Sequence, residues 1–263
     1  MEEKSNLFSY TFEQSALDKI YWRNTPNDNR VKIEDKECEK FPYSAIGFIE
    51  LIFDSVVSYR TGILIGENIV LTAGHNLYDY RKNPIKINEI LGSPKKIYFY
   101  PGLNGNKSKY QKFESETFYY PKDFPNKNDE DYGVIIFKEN ISKIVGGHFE
   151  VKIYNDYENY PEIFFTAGYP MNRSINNNTV FFLYEGRGKI IRINNEKGVF
   201  CHEIKASYGQ SGAGLCYFDK EKNKYFVIGV HVASNAFNDN ESYSTIITKK
   251  RYNNIKQFID SLK

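Results

Sequence analysis

Cysteine is scarce in this chain. Only Cys38, Cys201 and Cys216 occur in 263 residues, an odd number that leaves no disulfide framework. Cys201 and Cys216 can pair only if their strands lie side by side, and reduced, buried thiols are the expected state. No Cys/His spacing fits a metal site, and no cofactor is implied. An excess of charge of one sign is also lacking, with 35 Lys and Arg against 33 Asp and Glu. That balance argues against an electrostatic nucleic-acid binder. No apolar run approaches the roughly 20 residues of a membrane-spanning helix. The opening Met1-Glu2-Glu3-Lys4-Ser5 has no basic start followed by an apolar segment, so no secretory signal is read there.

Aromatic residues are plentiful, with 22 Tyr and 20 Phe, which favours strands and sheet cores. Residues 1–35 are polar and rich in Asn, Asp and Arg, and read as an extension over the surface with a short amphipathic helix near Phe12 to Ile20. From Phe41 the pattern changes to short apolar strands separated by turn residues: 42–53, 59–65 and 69–72, then Tyr98-Phe99-Tyr100 and 131–137. A second set begins near Val151 and includes 164–170, 180–184, 188–193, 200–204 and 225–232. Such spacing predicts an all-β barrel or sandwich, not alternating βαβ units. At the C-terminus, Ile255, Phe258, Ile259 and Leu262 recur at helical spacing, so residues 252–263 are expected to form an amphipathic helix. The expected division is an extension over 1–35, a first β unit over 36–150 and a second over 151–263.

The chemistry centres on Tyr208-Gly209-Gln210-Ser211-Gly212-Ala213-Gly214. Glycines on both sides of a serine allow a tight bend and a close approach of substrate backbone. The N–H groups of Gly209 and Ser211 can then point at one spot, where acyl transfer develops an oxyanion. The plainer reading is a glycine-rich β-turn without chemistry. The segment nearly matches the Gly-x-Ser-x-Gly elbow of α/β-hydrolases, but Ala213 takes the last place and the next residues read as a strand and hairpin, not a helix. A serine needs a base. Thr72-Ala73-Gly74-His75 ends a strand on a histidine, and Asp131 sits at the lip of the β-branched run 133–137. Each has its own plain alternative, a strand-end histidine bonded to a neighbour and a solvated turn aspartate like Asp129 and Glu130. Together they occur in the order His, Asp, Ser, with His75 and Asp131 in the first half and Ser211 in the second. Two β-barrels with a cleft between them bring all three together.

These motifs resemble the chymotrypsin-fold serine peptidases. The Gly168-Tyr169-Pro170 strand and the approach from Arg30-Val31 to Pro42-Tyr43 are similar to the V8-like, or glutamyl-endopeptidase, branch. The resemblance runs from about Arg30 to the C-terminus. It implies two six-stranded antiparallel β-barrels followed by a C-terminal helix. It implies Ser211 as nucleophile, His75 as general base and then acid, and Asp131 as the group that orients His75. Gly209 and Ser211 would form the oxyanion hole, and Ala206, Ser207, Gly229 and His231 the S1 pocket. The implied partner is a polypeptide substrate met by a monomeric enzyme, with neither nucleic acid nor membrane. The resemblance also suggests secretion, and the chain as given leaves a cytoplasmic location open.

Three positions depart from the pattern. Gln210 replaces the acid that in chymotrypsin receives the freed N-terminal amine, a lack that the V8-like branch shares. Ala206 stands where glutamyl enzymes place a hydroxyl, with Ser207 or Lys205 as substitutes, while His231 matches their histidine. Gly133 replaces a common Ala. His231 thus speaks for an acidic P1 preference and Ala206 against it. Two other classes remain open: a catalytically silent peptidase fold that binds a partner, and an esterase, for which Ser211 comes late in the chain.

Overall fold

The computed structural model describes residues 28–262, except 55, 83–88, 106, 125, 156–158, 172–179 and 235–240. The helix expected near Phe12 to Ile20 lies outside the described residues. Two sheets dominate, one of seven strands and one of nine, with a small hairpin of Asp79–Lys82 and Ile90–Gly92 beside them.

The first sheet runs in the order Phe113–Ser115, Lys96–Pro101, Ile46–Ile52, Val57–Leu64, Ile69–Thr72, Gly133–Ile136, Thr117–Tyr119. The strands at its two ends are consecutive in sequence, separated only by Glu116, and this corner closes the sheet into a barrel. Ser115 spans the corner, its Oγ donating to the Thr117 carbonyl at 3.2 Å. The second sheet closes in the same manner. Tyr184–Gly188 and Ile190–Asn194 lie far apart in its order yet are separated in sequence only by Lys189. Between them run Phe164–Gly168, Gly214–Asp219, Lys224–Ser234, Ser242–Ile246 and Val199–His202.

The all-β architecture with two barrels and a C-terminal helix is thus as expected, but neither sheet has six strands. Short pairings add to the count. Val31–Lys32 pairs with Tyr184–Gly188, and Glu150–Val151 pairs in parallel with Lys224–Ser234. The first of these ties Val31–Lys32, near the end of the expected surface extension, to the second sheet, with both residues still exposed.

Strand alternation sorts the core. Phe164, Phe200, Leu215, Tyr217, Ile228 and Ile246 form one apolar cluster within the second sheet. Their neighbours Phe165, Cys216 and Val227 join the larger cluster that holds Ile49, Ile63 and Val70 of the first. A fully buried side chain such as Phe200 contributes roughly 1.5–3 kcal/mol. The cysteines are free and buried. Cys201 and Cys216 do not lie side by side, because two strands separate theirs in the sheet.

Lys249–Asp260 is the terminal helix, capped by Thr248, whose Oγ1 accepts from Arg251 N. It follows the second-sheet strand Ser242–Ile246 and docks on the first sheet. Ile255 is buried, and Phe258 stacks on Tyr119 with ring centroids 5.1 Å apart. Leu262, expected on the apolar stripe, lies past the helix end and is exposed.

Candidate active site

His75 and Asp131 meet because of sheet register. Ile69–Thr72 and Gly133–Ile136 are antiparallel, with Gly133 opposite Thr72. Carried past the end of that ladder, the register sets Asp131 opposite Gly74, next to His75. After Thr72 the chain turns into the one-turn helix Gly74–Leu77, which aims the imidazole at the carboxylate. His75 N donates to Asp131 Oδ1 at 2.8 Å, and Nδ1 lies 2.8 Å from Oδ2. An ionised carboxylate only accepts, so the ring proton belongs on Nδ1 and Nε2 is left with a lone pair. Gly133, unexpected by pattern, is explained by space: a Cβ there would lie 2.5 Å from the Tyr119 carbonyl and 2.6 Å from Leu77 Cδ1.

The serine loop joins the two barrels. Gly212 N donates to the His231 carbonyl at 2.8 Å, and His231 N to the Ala213 carbonyl at 2.7 Å, which ties the loop to the strand Lys224–Ser234. The Ser211 carbonyl accepts from Thr61 N at 3.1 Å and from Asn76 Nδ2 at 3.1 Å, both from the first barrel and the turn that carries His75. Among the described residues no hydrogen bond joins Ser211 Oγ to His75, a contact that commonly tightens only with substrate bound.

Gly209 adopts φ +95°, a conformation open to glycine, and a Cβ there would lie 2.3 Å from the Tyr169 carbonyl. Its carbonyl accepts from Thr61 Oγ1 at 2.9 Å, and Thr61 Oγ1 accepts in turn from Tyr169 N at 3.0 Å. Gln210 N and Ala213 N are used within the loop, bonding the Ser207 and Gln210 carbonyls at 3.0 Å each. Among the described residues the N–H groups of Gly209 and Ser211 have no acceptor. Two unpaired donors on either side of Gln210 are what an oxyanion would need.

The residues expected to line S1 are placed differently from one another. Ser207 Oγ accepts from Arg30 at 2.8 Å, and the Ala206 carbonyl accepts from Ser234 Oγ at 3.2 Å. Lys205 is buried. Gly229 lies deeper in its strand, where a Cβ would meet the Thr245 carbonyl and Phe200, within the second barrel. His231 is 3% exposed, its ring centroid 6.0 Å from that of His202. Burial, with His75 and Arg30 nearby, pushes the His231 imidazole down to about 3, so it is neutral across ordinary pH.

Sequence reasoning missed the polar side chains that hold this loop: Thr61, Asn76, and Arg30, whose guanidinium is wholly buried. It also missed Arg60, which lies over the Tyr208 ring at 4.6 Å. Burial raises the Tyr208 phenol, but Arg60 and Arg81 outweigh it and the net shift is downward. A strand arginine one residue from Thr61 carries no local signal of such a role.

Comparison with known proteins bears on the fold. No known family model matches the chain. The glutamyl endopeptidase of Bacillus licheniformis is 29% identical over 121 residues, covering 46% of this chain and 34% of that protein. The chain therefore spans about a third of the length of the curated relative it matches. A solved Glu endopeptidase structure, in complex with MPD, superposes with TM-score 0.68 at 23% identity, covering 90% of this chain and 98% of the other. The protease Anisep from Arthrobacter nicotinovorans gives 0.61 at 16% identity, covering 81% and 95%.

The chain has the chymotrypsin-type serine peptidase fold. The resemblance to glutamyl endopeptidases read from its motifs is borne out by the curated relative. Gln210, the residue before the serine, accepts from the Arg30 side chain.

Proposed function

We propose that this chymotrypsin-type chain is a serine endopeptidase that prefers an acidic residue at P1. The reading rests on one arrangement. His75 is bonded to Asp131 through both its backbone N–H and Nδ1, and the turn that carries it also holds the Ser211 carbonyl.

In that reading Ser211 Oγ attacks the scissile carbonyl carbon while His75 Nε2 takes the hydroxyl proton. The carbonyl oxygen becomes an oxyanion, which accepts from the N–H groups of Gly209 and Ser211. Asp131 holds the Nδ1 proton and stabilises the imidazolium without itself being protonated. The C–N bond then breaks, His75 passes its proton to the leaving amine, and an acyl-Ser211 ester remains. Water, deprotonated by His75, attacks that ester and releases the new carboxylate with Ser211 restored. The acidic P1 preference draws on the curated relative and on His231 beside the serine loop.

A fluorophosphonate probe tests the reading. Wild type should be labelled at Ser211 and cleave peptides. Ser211→Ala should lose the label, and its turnover should fall by roughly 10⁶-fold. A wild-type chain that is neither labelled nor able to cleave peptides would favour a silent binding module.

A further inference from the structure

Arg30 is a buried charge that the mechanism above does not use. Its side chain is 0% exposed, and Asp28, its ion-pair partner, is 9% exposed. Asp28 takes two edges of the guanidinium: Nε donates to Oδ1 at 2.9 Å and Nη2 to Oδ2 at 2.6 Å. The third edge faces the serine loop. Nη1 donates to Ser207 Oγ at 2.8 Å and to Gln210 Oε1. Gln210 is itself fully buried, and the same Oε1 accepts from Ser207 N at 3.0 Å. Two donors on one oxygen fix the orientation of that amide.

Gln210 lies between the two residues whose N–H groups are unpaired. Its side chain is therefore the point from which the Gly209–Ser211 backbone can be held from behind, while Thr61 holds the Gly209 carbonyl from the other side. Arg30 is delivered there by pairing: Val31 sits opposite Glu185 and Lys32 opposite Tyr184, so the strand Val31–Lys32 runs along the second barrel and sets Arg30 beside Gly186.

We propose that Arg30 is a positioning residue, whose guanidinium clamps Gln210 and Ser207 so that the Gly209 and Ser211 N–H groups converge on the oxyanion. The proposal rests on the peptidase reading. A preorganised pair of donors acts mainly on the transition state, so the clamp belongs to kcat and not to substrate affinity.

The test compares wild type with Arg30→Ala, Arg30→Lys, Gln210→Met and the Arg30→Ala/Gln210→Met double variant. The readouts are kcat and KM on a peptide amide, and the affinity of a peptide aldehyde, which forms an oxyanion on Ser211. Arg30→Ala should lower kcat by roughly 100-fold, as losing one oxyanion donor does, and weaken the aldehyde in parallel, with KM changed less than about twofold. Arg30→Lys, which keeps one donor for Gln210, should recover about tenfold of the loss. The double variant should be no worse than the worse single, because both break one unit. Folded Arg30→Ala with unchanged kcat and aldehyde affinity overturns the clamp, and so do additive losses in the double variant. If Arg30→Ala does not fold, Gln210→Met decides alone, because it leaves Arg30 on Asp28 and Ser207; unchanged kcat there overturns the proposal. A wild-type chain without peptidase activity sinks the peptidase reading, whereas an active wild type with fully active variants sinks only the clamp.

Discussion

His231 shows how a residue can be singled out by sequence while its protonation stays unread. Its place on the strand that hydrogen-bonds the serine loop fits the role implied by the V8-like resemblance. Its protonation was not legible, because nothing local signals 3% exposure. A protonated imidazole was one way to hold a substrate carboxylate. In the free protein burial keeps the ring neutral, and its Nδ1 has no partner among the described residues. A neutral ring can still offer one N–H to a P1 carboxylate, or take up a proton as that carboxylate arrives. A hydrogen bond to a charged group contributes about 1.5–3 kcal/mol. His231→Ala should therefore lower kcat/KM for Glu-P1 peptides roughly 10- to 100-fold more than for Leu-P1 peptides. Equal losses across a P1 series would make His231 a packing residue and leave the acidic preference resting on the curated relative alone.

At the scale of elements, strands and the terminal helix were legible because each carries its own period. The corners at Glu116 and Lys189 were not, since one residue between two strands reads as a single longer strand. What the helix does was equally hidden. Arg251 in its first turn is buried and reaches back across the molecule. Nη1 donates to the Gly198 and Ile246 carbonyls at 2.6 and 2.9 Å, and Nη2 to Asp129 and Lys197 at 2.8 and 3.0 Å. Nε lies 3.5 Å from Glu130 Oε2. Asn254 adds a bond to the Tyr132 hydroxyl at 3.2 Å. The helix thus grips Asp129, Glu130 and Tyr132 on either side of Asp131, the first two of which sequence reading had treated as solvated turn positions. Glu130 is in fact only 7% exposed. Arg251→Met keeps the apolar stem but strands Glu130 and several carbonyls, and should cost roughly 3 kcal/mol in urea unfolding. A midpoint shift worth less than about 0.5 kcal/mol would show that water replaces the guanidinium without loss.

For the whole molecule, the two-barrel plan followed from strand spacing and the order His, Asp, Ser, while the contact between Arg30 and Gln210 spans 180 positions and no local pattern encodes it. The same long-range packing sets how stability responds to acid. His202 is fully buried, its Nε2 2.9 Å from Ser244 Oγ, and burial followed by the neighbouring His231 holds it well below the ordinary imidazole value. His231 is held down to about 3. In the unfolded chain both titrate near 6.5. Below that pH the unfolded state binds two protons that the folded state refuses. Their contribution is fully present above about 6.5 and is lost as pH falls, until about 3 for His231. Each proton adds a slope of about 1.4 kcal/mol per pH unit once the unfolded chain is fully protonated. Urea unfolding measured from pH 7.5 to 5, above the range where most carboxylates titrate, should show stability falling toward acid. His202→Gln should remove one proton's share of that slope, since a glutamine takes up none in either state. An unchanged slope in His202→Gln would mean that the folded ring takes up its proton over the same pH range as the unfolded chain.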